Sequence, residues 1–290
     1  MFFSLYFFIY IFLRMELLKK KIIICPKTGR LGNQLLNIIL ATSLCIQRRG
    51  DINLIILPKK PLFYDKDFIS INYPVLKYDL DIYHKSEVFY MNDFWMYDLK
   101  LFKLEKCKDK IKSFLNNIFF FPKIKHFNNN ILHIHIRSGD IMMPNGHRGY
   151  VQPPCIFYEN EIIKRRWDKV IIVSEDTKNP CIKYLVEKYD NVIYFGKNSL
   201  EYDINELLSA TNIMFGRGTF LQTLSLFMPH LQQIHYPGDG DDRMHHFIEV
   251  FHPGKCIKHI EYKDYFNEIE KIGGWNYNEY IKNLMLTFTI

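Results

Sequence analysis

No Cys-x-x-Cys pair occurs among the six cysteines (positions 25, 45, 107, 155, 181 and 256), and none has zinc-finger spacing. That excludes the common zinc modules and a thioredoxin-type redox site. The cysteines read instead as buried free thiols of strands and helices, which favours a reducing compartment and requires no oxidising one. Low-complexity tracts and internal repeats are also missing, so the chain reads as globular. Its loops hold neither G-x-G-x-x-G nor G-x-x-x-x-G-K-[ST], which leaves little motif-level case for dinucleotide or ATP binding. A large excess of one charge is lacking too: 38 Lys and Arg against 31 Asp and Glu leave a net +7, scattered along the chain. No nucleic-acid partner is implied, whereas a few cations gathered around a phosphorylated small molecule fit. Nor does any apolar run reach the roughly 20 residues of a transmembrane helix. Met1 to Leu13 is largely apolar or aromatic but ends at Arg14, with Lys19, Lys20 and Lys21 behind it. A signal peptide's basic start and small-residue cleavage point are absent. Two readings stay open: membrane association through residues 1–13, and an apolar extension of a cytoplasmic protein, with Met15 as an alternative start.

What is present is a hydrophobic content of 48% over 290 residues, enough for one large core or two ordinary ones. Lys21 to Cys25 reads as a buried strand, Pro26 to Gln34 as a glycine-bearing loop and Leu35 to Gln47 as a helix, with a further strand at Ile52 to Leu57. This is one βαβ unit, in which Gly29 and Gly32 permit close approach of a ligand, with Asn33 and Gln34 beside them. Pro58 to Phe121 is rich in aromatics, Lys and Asp and has little periodicity. A linker follows at Pro122 to Asn130. The expected organisation is an extension or anchor at 1–20, an α/β domain at 21–127, a second domain at 128–260, and helices at 261–290 that return to the first domain.

The stretch from Ile131 to Asp140 (I-L-H-I-H-I-R-S-G-D) organises the second domain. Strand alternation puts Leu132, Ile134 and Ile136 on one face and His133, His135 and Arg137 on the other. An Arg at the carboxyl end of a covered strand suggests an anionic ligand. Gly139 lets the chain turn, and Asp140 can brace the turn or the guanidinium. The plainer alternative is a core strand ending in an internal Arg–Asp pair. Residues 141–154 then read as a loop whose His147, Arg148 and Tyr150 are donors to an acceptor molecule. Phe157 to Trp167 reads as a helix, Lys169 to Ser174 as a buried strand ending in Glu175 and Asp176, where doubly wound folds hold ribose or base edges. Asn179 and Pro180 open the next helix. Asp203 and Glu206 read as a capping box. Asn212 to Gly216 is a strand, and Arg217-Gly-Thr-Phe220 leads into a helix to Met228, with the Thr219 hydroxyl and the Thr219 and Phe220 N–H groups placed for phosphate oxygens. Gln233 to Tyr236 is read as the last strand, and Asp239 to His246 as an exposed acidic loop whose spacing fits no common metal motif. The alternation implies a parallel, doubly wound sheet.

Four elements, Gly29-Arg-Leu-Gly-Asn-Gln34, His135-Ile-Arg-Ser-Gly-Asp140, Val173-Ser-Glu-Asp176 and Gly218-Thr-Phe220, stand in the order found in the superfamily that joins the α1,2-, α1,6- and protein O-fucosyltransferases. The chain resembles that superfamily over most of residues 21 to 236. The resemblance implies two Rossmann-like domains facing a cleft (the glycosyltransferase B-type fold) and transfer of fucose with inversion from GDP-fucose to a glycan acceptor, without a metal or other cofactor. It casts Arg137, supported by His135 and Asp140, as the group on the β-phosphate. Gly139, Glu175, Asp176, Arg217, Gly218, Thr219 and Phe220 would line the nucleotide-sugar site. Gly29, Gly32, Asn33, Gln34, His147 and Tyr150 would belong to the acceptor side. Two other readings fit the residues: a sulfotransferase, for which Lys27 and Thr28 stand in the first loop, and a glycan- or nucleotide-binding protein without turnover.

Overall fold

The structure, a computed structural model, describes residues 22–25, 30–47, 53–56, 70–71, 88–90, 102–120, 128–144, 148–196, 199–238 and 242–290. The chain divides into two compact units, Met1–Pro122 and Lys123–Ile290.

In the first unit, strand β1 (Ile22–Cys25) lies between β2 (Asn53–Ile56) and β4 (Val88–Tyr90), parallel to both. A two-stranded antiparallel pair joins β3 (Ser70–Ile71) to β5 (Phe119–Phe120). Helix α1 (Leu31–Gln47) connects β1 to β2 and is apolar almost all round, while α2 (Leu104–Ile118) is amphipathic. The helix starts a turn earlier than the sequence reading placed it. Gly32, Asn33 and Gln34 therefore belong to its first turn and not to a loop. Leu31 and Leu35, four apart and both buried, extend the apolar stripe backwards, and their burial outweighs the roughly 1 kcal/mol that Gly32 costs inside a helix. Gly29 lies outside the described residues, as does the apolar segment 1–13. Among the described residues, no helix is long and apolar enough to cross a membrane.

The second unit is built on six strands: β6 (Ile131–His135), β7 (Lys169–Ser174), β8 (Val192–Gly196), β9 (Asn212–Phe215), β10 (Gln233–Pro237) and β11 (Cys256–His259). Their order is β11-β10-β9-β6-β7-β8, and each pairing is parallel. Counted from β6 this is 3-2-1-4-5-6, the Rossmann order, with its switch point between β6 and β9. The intervening helices are α3 (Cys155–Lys164), α4 (Pro180–Lys188), α5 (Leu200–Leu208), the short α6 (Phe220–Leu224) and α7 (Asp242–Phe251), and the chain ends in α8 (Lys263–Lys271) and α9 (Glu279–Thr287). The α/β class and the doubly wound parallel sheet expected from the alternation are thus present.

Several local expectations fail for identifiable reasons. Segment 242–246 opens helix α7 and is no exposed loop, because His245, Phe247, Ile248 and Phe251 are buried at helical spacing. Strand β11 follows it, beyond the strand read as the last. Helix α5 starts at Leu200, capped by the Ser199 hydroxyl, which accepts from the Tyr202 N–H. Asp203 is consequently a buried residue within the helix and does not cap it. Two of the cysteines read as free thiols, Cys155 and Cys181, form a disulfide that ties the first turns of α3 and α4 together. Cys45, Cys107 and Cys256 are free. The C-terminal helices lie in the second unit's own core, where Tyr262, Tyr265, Phe266, Ile269, Trp275, Ile281 and Met285 cluster with Leu132, Ile134 and Ile136.

Candidate functional site

The buried apolar face of β6 fixes the strand. Its other face carries His133, whose Nε2 lies 3.0 Å from Glu206 Oε1 on α5, and then His135, whose ring sits 5.2 Å from that of Phe220. Burial, and then the charge of Arg137, push the His135 imidazole down to about 4, so it is neutral at neutral pH. Arg137 is the next residue on this face, at the point where the strand ends.

The guanidinium of Arg137 is enclosed on three sides. Its Nη2 lies 3.5 Å from Asp140 Oδ1, and its Cζ stands 4.2 Å above the centre of the Tyr150 ring. A Cβ added to Gly218 would come within 3.7 Å of its Cδ and Nη1. Nε is buried without a hydrogen-bond partner. The alternative of a core strand closed by an internal ion pair does not describe this arrangement, since the Asp140 side chain is 52% exposed.

The turn after Arg137 is held by residues of the β7–α4 junction. Asp176 Oδ1 accepts from the Ser138 hydroxyl, from the Gly139 N–H at 3.2 Å and from the Lys178 N–H at 3.0 Å. Burial alone would raise the Asp176 carboxyl, but these hydrogen bonds and the Lys178 charge hold it below the usual carboxylate range. Asn179 completes the bracket: its N–H donates to Ser138 Oγ at 3.0 Å and its side-chain amide to the Arg137 carbonyl at 3.1 Å. Its Oδ1 also caps α4 through the Cys181 N–H, as the sequence implied. Gly139 adopts φ +65°, and a Cβ there would stand 2.1 Å from Glu175 Oε1. Its backbone conformation favours glycine, and the carboxylate packed over it would have to move to admit any side chain.

Across the switch point, Gly216 to Phe220 lead from β9 to α6. Gly216 packs so closely on residues 152–153 that a Cβ would lie 2.6 Å from Pro153 Cδ. The Gln152 amide donates to the Tyr150 carbonyl at 2.9 Å and to the Arg217 carbonyl at 3.4 Å. Arg217 donates from Nη1 to the Gly149 carbonyl at 3.0 Å and lies 5.8 Å from the Phe266 ring centre. Loop 148–154 is therefore fastened to the β9–α6 turn, which places Tyr150 against Arg137.

Of the residues singled out in the sequence, His135, Arg137, Gly139, Asp140, Tyr150, Glu175, Asp176, Gly218 and Phe220 meet at this carboxyl edge, with Thr219 buried beside them. Gly32, Asn33 and Gln34 belong to the first unit, and His147 and Gly29 lie outside the described residues. Ser138, Asn179 and Gln152 were missed as parts of the site. Their signal was a polar residue next to a glycine or proline turn, too common to single out.

No protein-family model matches the chain, and neither does any curated protein. Solved structures similar to it include NodZ alpha-1,6-fucosyltransferase soaked with GDP-fucose, at 13% identity and a TM-score of 0.39 over 74% of this chain and 94% of that one. Another is a mutant of Arabidopsis thaliana FUT1 in complex with GDP, at 10% identity and a TM-score of 0.40 over 77% of this chain and 72% of that one. A third is the E. coli heptosyltransferase WaaC with ADP, at 12% identity and 0.37 over 86% and 98%. Likenesses at this level carry no argument about the reaction, which has to be made from the residues.

Proposed function

We propose that the chain is a glycosyltransferase of the B-type two-domain class that moves fucose from GDP-fucose to a glycan hydroxyl with inversion, the second unit taking the donor and the first unit the acceptor. The observation that carries this reading is the Arg137 guanidinium at the switch point of a 3-2-1-4-5-6 parallel sheet, with an unpartnered buried Nε and no closer carboxylate among the described residues than Asp140 at 3.5 Å. Ligands of open α/β sheets bind at that crevice. The choice of fucose and of GDP rests on the resemblance of the H-x-R-x-G-D element and the three motifs that accompany it.

The acceptor oxygen attacks the anomeric carbon from the face opposite the diphosphate. The bond from that carbon to the β-phosphate oxygen breaks, and its electron pair leaves with GDP. Negative charge on the diphosphate grows during this step, so a cation fixed beside it stabilises the transition state more than the bound donor. Arg137 fills this part without a metal. The neutral His135 adds no second positive charge that would repel the guanidinium, and the N–H groups of Thr219 and Phe220 line the diphosphate. The acceptor's proton passes to a base on the acceptor side. Calorimetry of the full-length protein across a panel of nucleotide sugars, followed by hydrolysis and transfer assays on those that bind, tests the proposal. GDP-fucose should bind and turn over; binding without turnover would leave a glycan- or nucleotide-binding protein, and turnover of a sulfonucleotide donor instead would overturn it.

A further inference from the structure

Away from the Arg137 site, three donor side chains meet between helix α3 and the two outermost strands: Glu161 on α3, His235 on β10 and His259 at the end of β11. They are 5%, 2% and 8% exposed. Register explains the meeting. His235 pairs with Ile257 and Pro237 with His259, so both imidazoles project from the sheet face that α3 covers. One ligand atom from each lies within 4.8 Å of the other two. His235 Nδ1 is 3.2 Å from His259 Nε2 and 3.5 Å from Glu161 Oε2. Donors held about 2.0–2.1 Å from a tetrahedral ion stand about 3.3 Å from one another.

Two further observations point to an ion. Glu161 Oε2, the oxygen that faces His235 Nδ1, is buried without a hydrogen-bond partner, and a carboxylate oxygen left so is costly unless a cation faces it. His259 Nδ1 lies 3.0 Å from Glu261 Oε1. A carboxylate there accepts the Nδ1 proton and leaves the Nε2 lone pair aimed into the cluster, the arrangement that orients ligating imidazoles. Lys164 and Arg165 are close enough to act on Glu161 and His235 by charge. They oppose any cation held by charge alone, such as Ca²⁺ or Mg²⁺, and leave an ion that forms short bonds to nitrogen.

We propose that Glu161, His235 and His259 form a buried site for one structural zinc ion or a similar divalent transition metal, which pins α3 to β10 and β11. No atom of the Arg137 site takes part, so this site stands or falls independently of the proposed transfer reaction. Full-length protein without an affinity tag, purified without chelator, should hold about one zinc per chain by elemental analysis. Stripped protein should take up cobalt(II) with the visible absorption of a tetrahedral site, and zinc at 100 times its dissociation constant should raise the folding equilibrium constant about 100-fold. Glu161→Gln, nearly isosteric, and His235→Ala should lose the cobalt spectrum and the zinc-dependent shift. Wild-type protein that holds no stoichiometric metal and shows no zinc-dependent shift would overturn the proposal, as would variants that bind zinc as the wild type does. A variant that fails to fold leaves the wild-type metal content and cobalt spectrum to decide.

Discussion

Replacing Gly139 with alanine tests the architecture of the turn without reference to any substrate. Two costs add. At φ +65° an L-residue with a Cβ loses about 1–2 kcal/mol relative to glycine. The new methyl would also overlap Glu175, whose Oε1 and Cδ lie 2.1 and 2.4 Å from its position. The far end of that side chain can move, but displacing it from its rotamer costs about 0.5–1.5 kcal/mol more. Gly139→Ala should therefore destabilise the protein by about 1.5–3.5 kcal/mol, measured by urea unfolding. The two parts separate in a cycle: in a Glu175→Ala background the overlap disappears, and the same substitution should cost only the backbone share. A change within about 0.5 kcal/mol for Gly139→Ala, the range of ordinary surface substitutions, or a cost that Glu175→Ala leaves untouched, would refute this account of the turn.

The remaining expectations are simpler. The Cys155–Cys181 bridge spans a separation of 26 residues, which corresponds to about 12 cal/mol/K of unfolded-chain entropy, or about 3.5 kcal/mol at 25 °C. Reduction, or joint replacement of both cysteines by alanine, should lower the urea midpoint accordingly, and an unchanged midpoint would contradict it. Burial pushes the Asp203 carboxyl up from 3.8 to about 6. The folded state then binds the extra proton, so stability falls as pH rises from about 3.8 to 6 and the loss is complete above. Asp203→Asn should stabilise the protein at pH 7 and not at pH 3.5, a difference to be read from urea midpoints at the two values; equal gains at both would refute the assignment.

How far the sequence went can be judged from single positions. The β6 alternation was legible because a two-residue period with fully apolar Leu132, Ile134 and Ile136 admits no other element, and it carried Arg137 to the strand end with it. The Asn179-Pro180 start of α4 was legible for the same local reason. Strand β11 was not: Cys256-Ile-Lys-His259 has neither a long apolar run nor clean alternation, and only pairing with β10 makes it a strand. The disulfide could not be read because its cysteines are joined through the packing of α3 on α4, and a spacing of 26 residues carries no signal of that. Arg217 was assigned to phosphate by its place in a glycine-bearing junction. Its bond to the Gly149 carbonyl depends on where residues 148–154 fold back, which no local pattern states. The Glu161, His235 and His259 cluster draws on three elements and has no spacing at all in sequence.

The most direct test of the central claim compares Arg137→Ala with the wild type for GDP binding and for GDP-fucose turnover, with circular dichroism as the control for folding. Arg137 placed against the leaving diphosphate should make the variant fold normally, bind GDP more weakly and turn over roughly 10²–10³-fold more slowly, the loss seen when one transition-state charge partner is removed. Turnover within about threefold of wild type in a folded variant, on the order of 0.6 kcal/mol in the barrier, would show that the guanidinium at the switch point does not meet the departing charge.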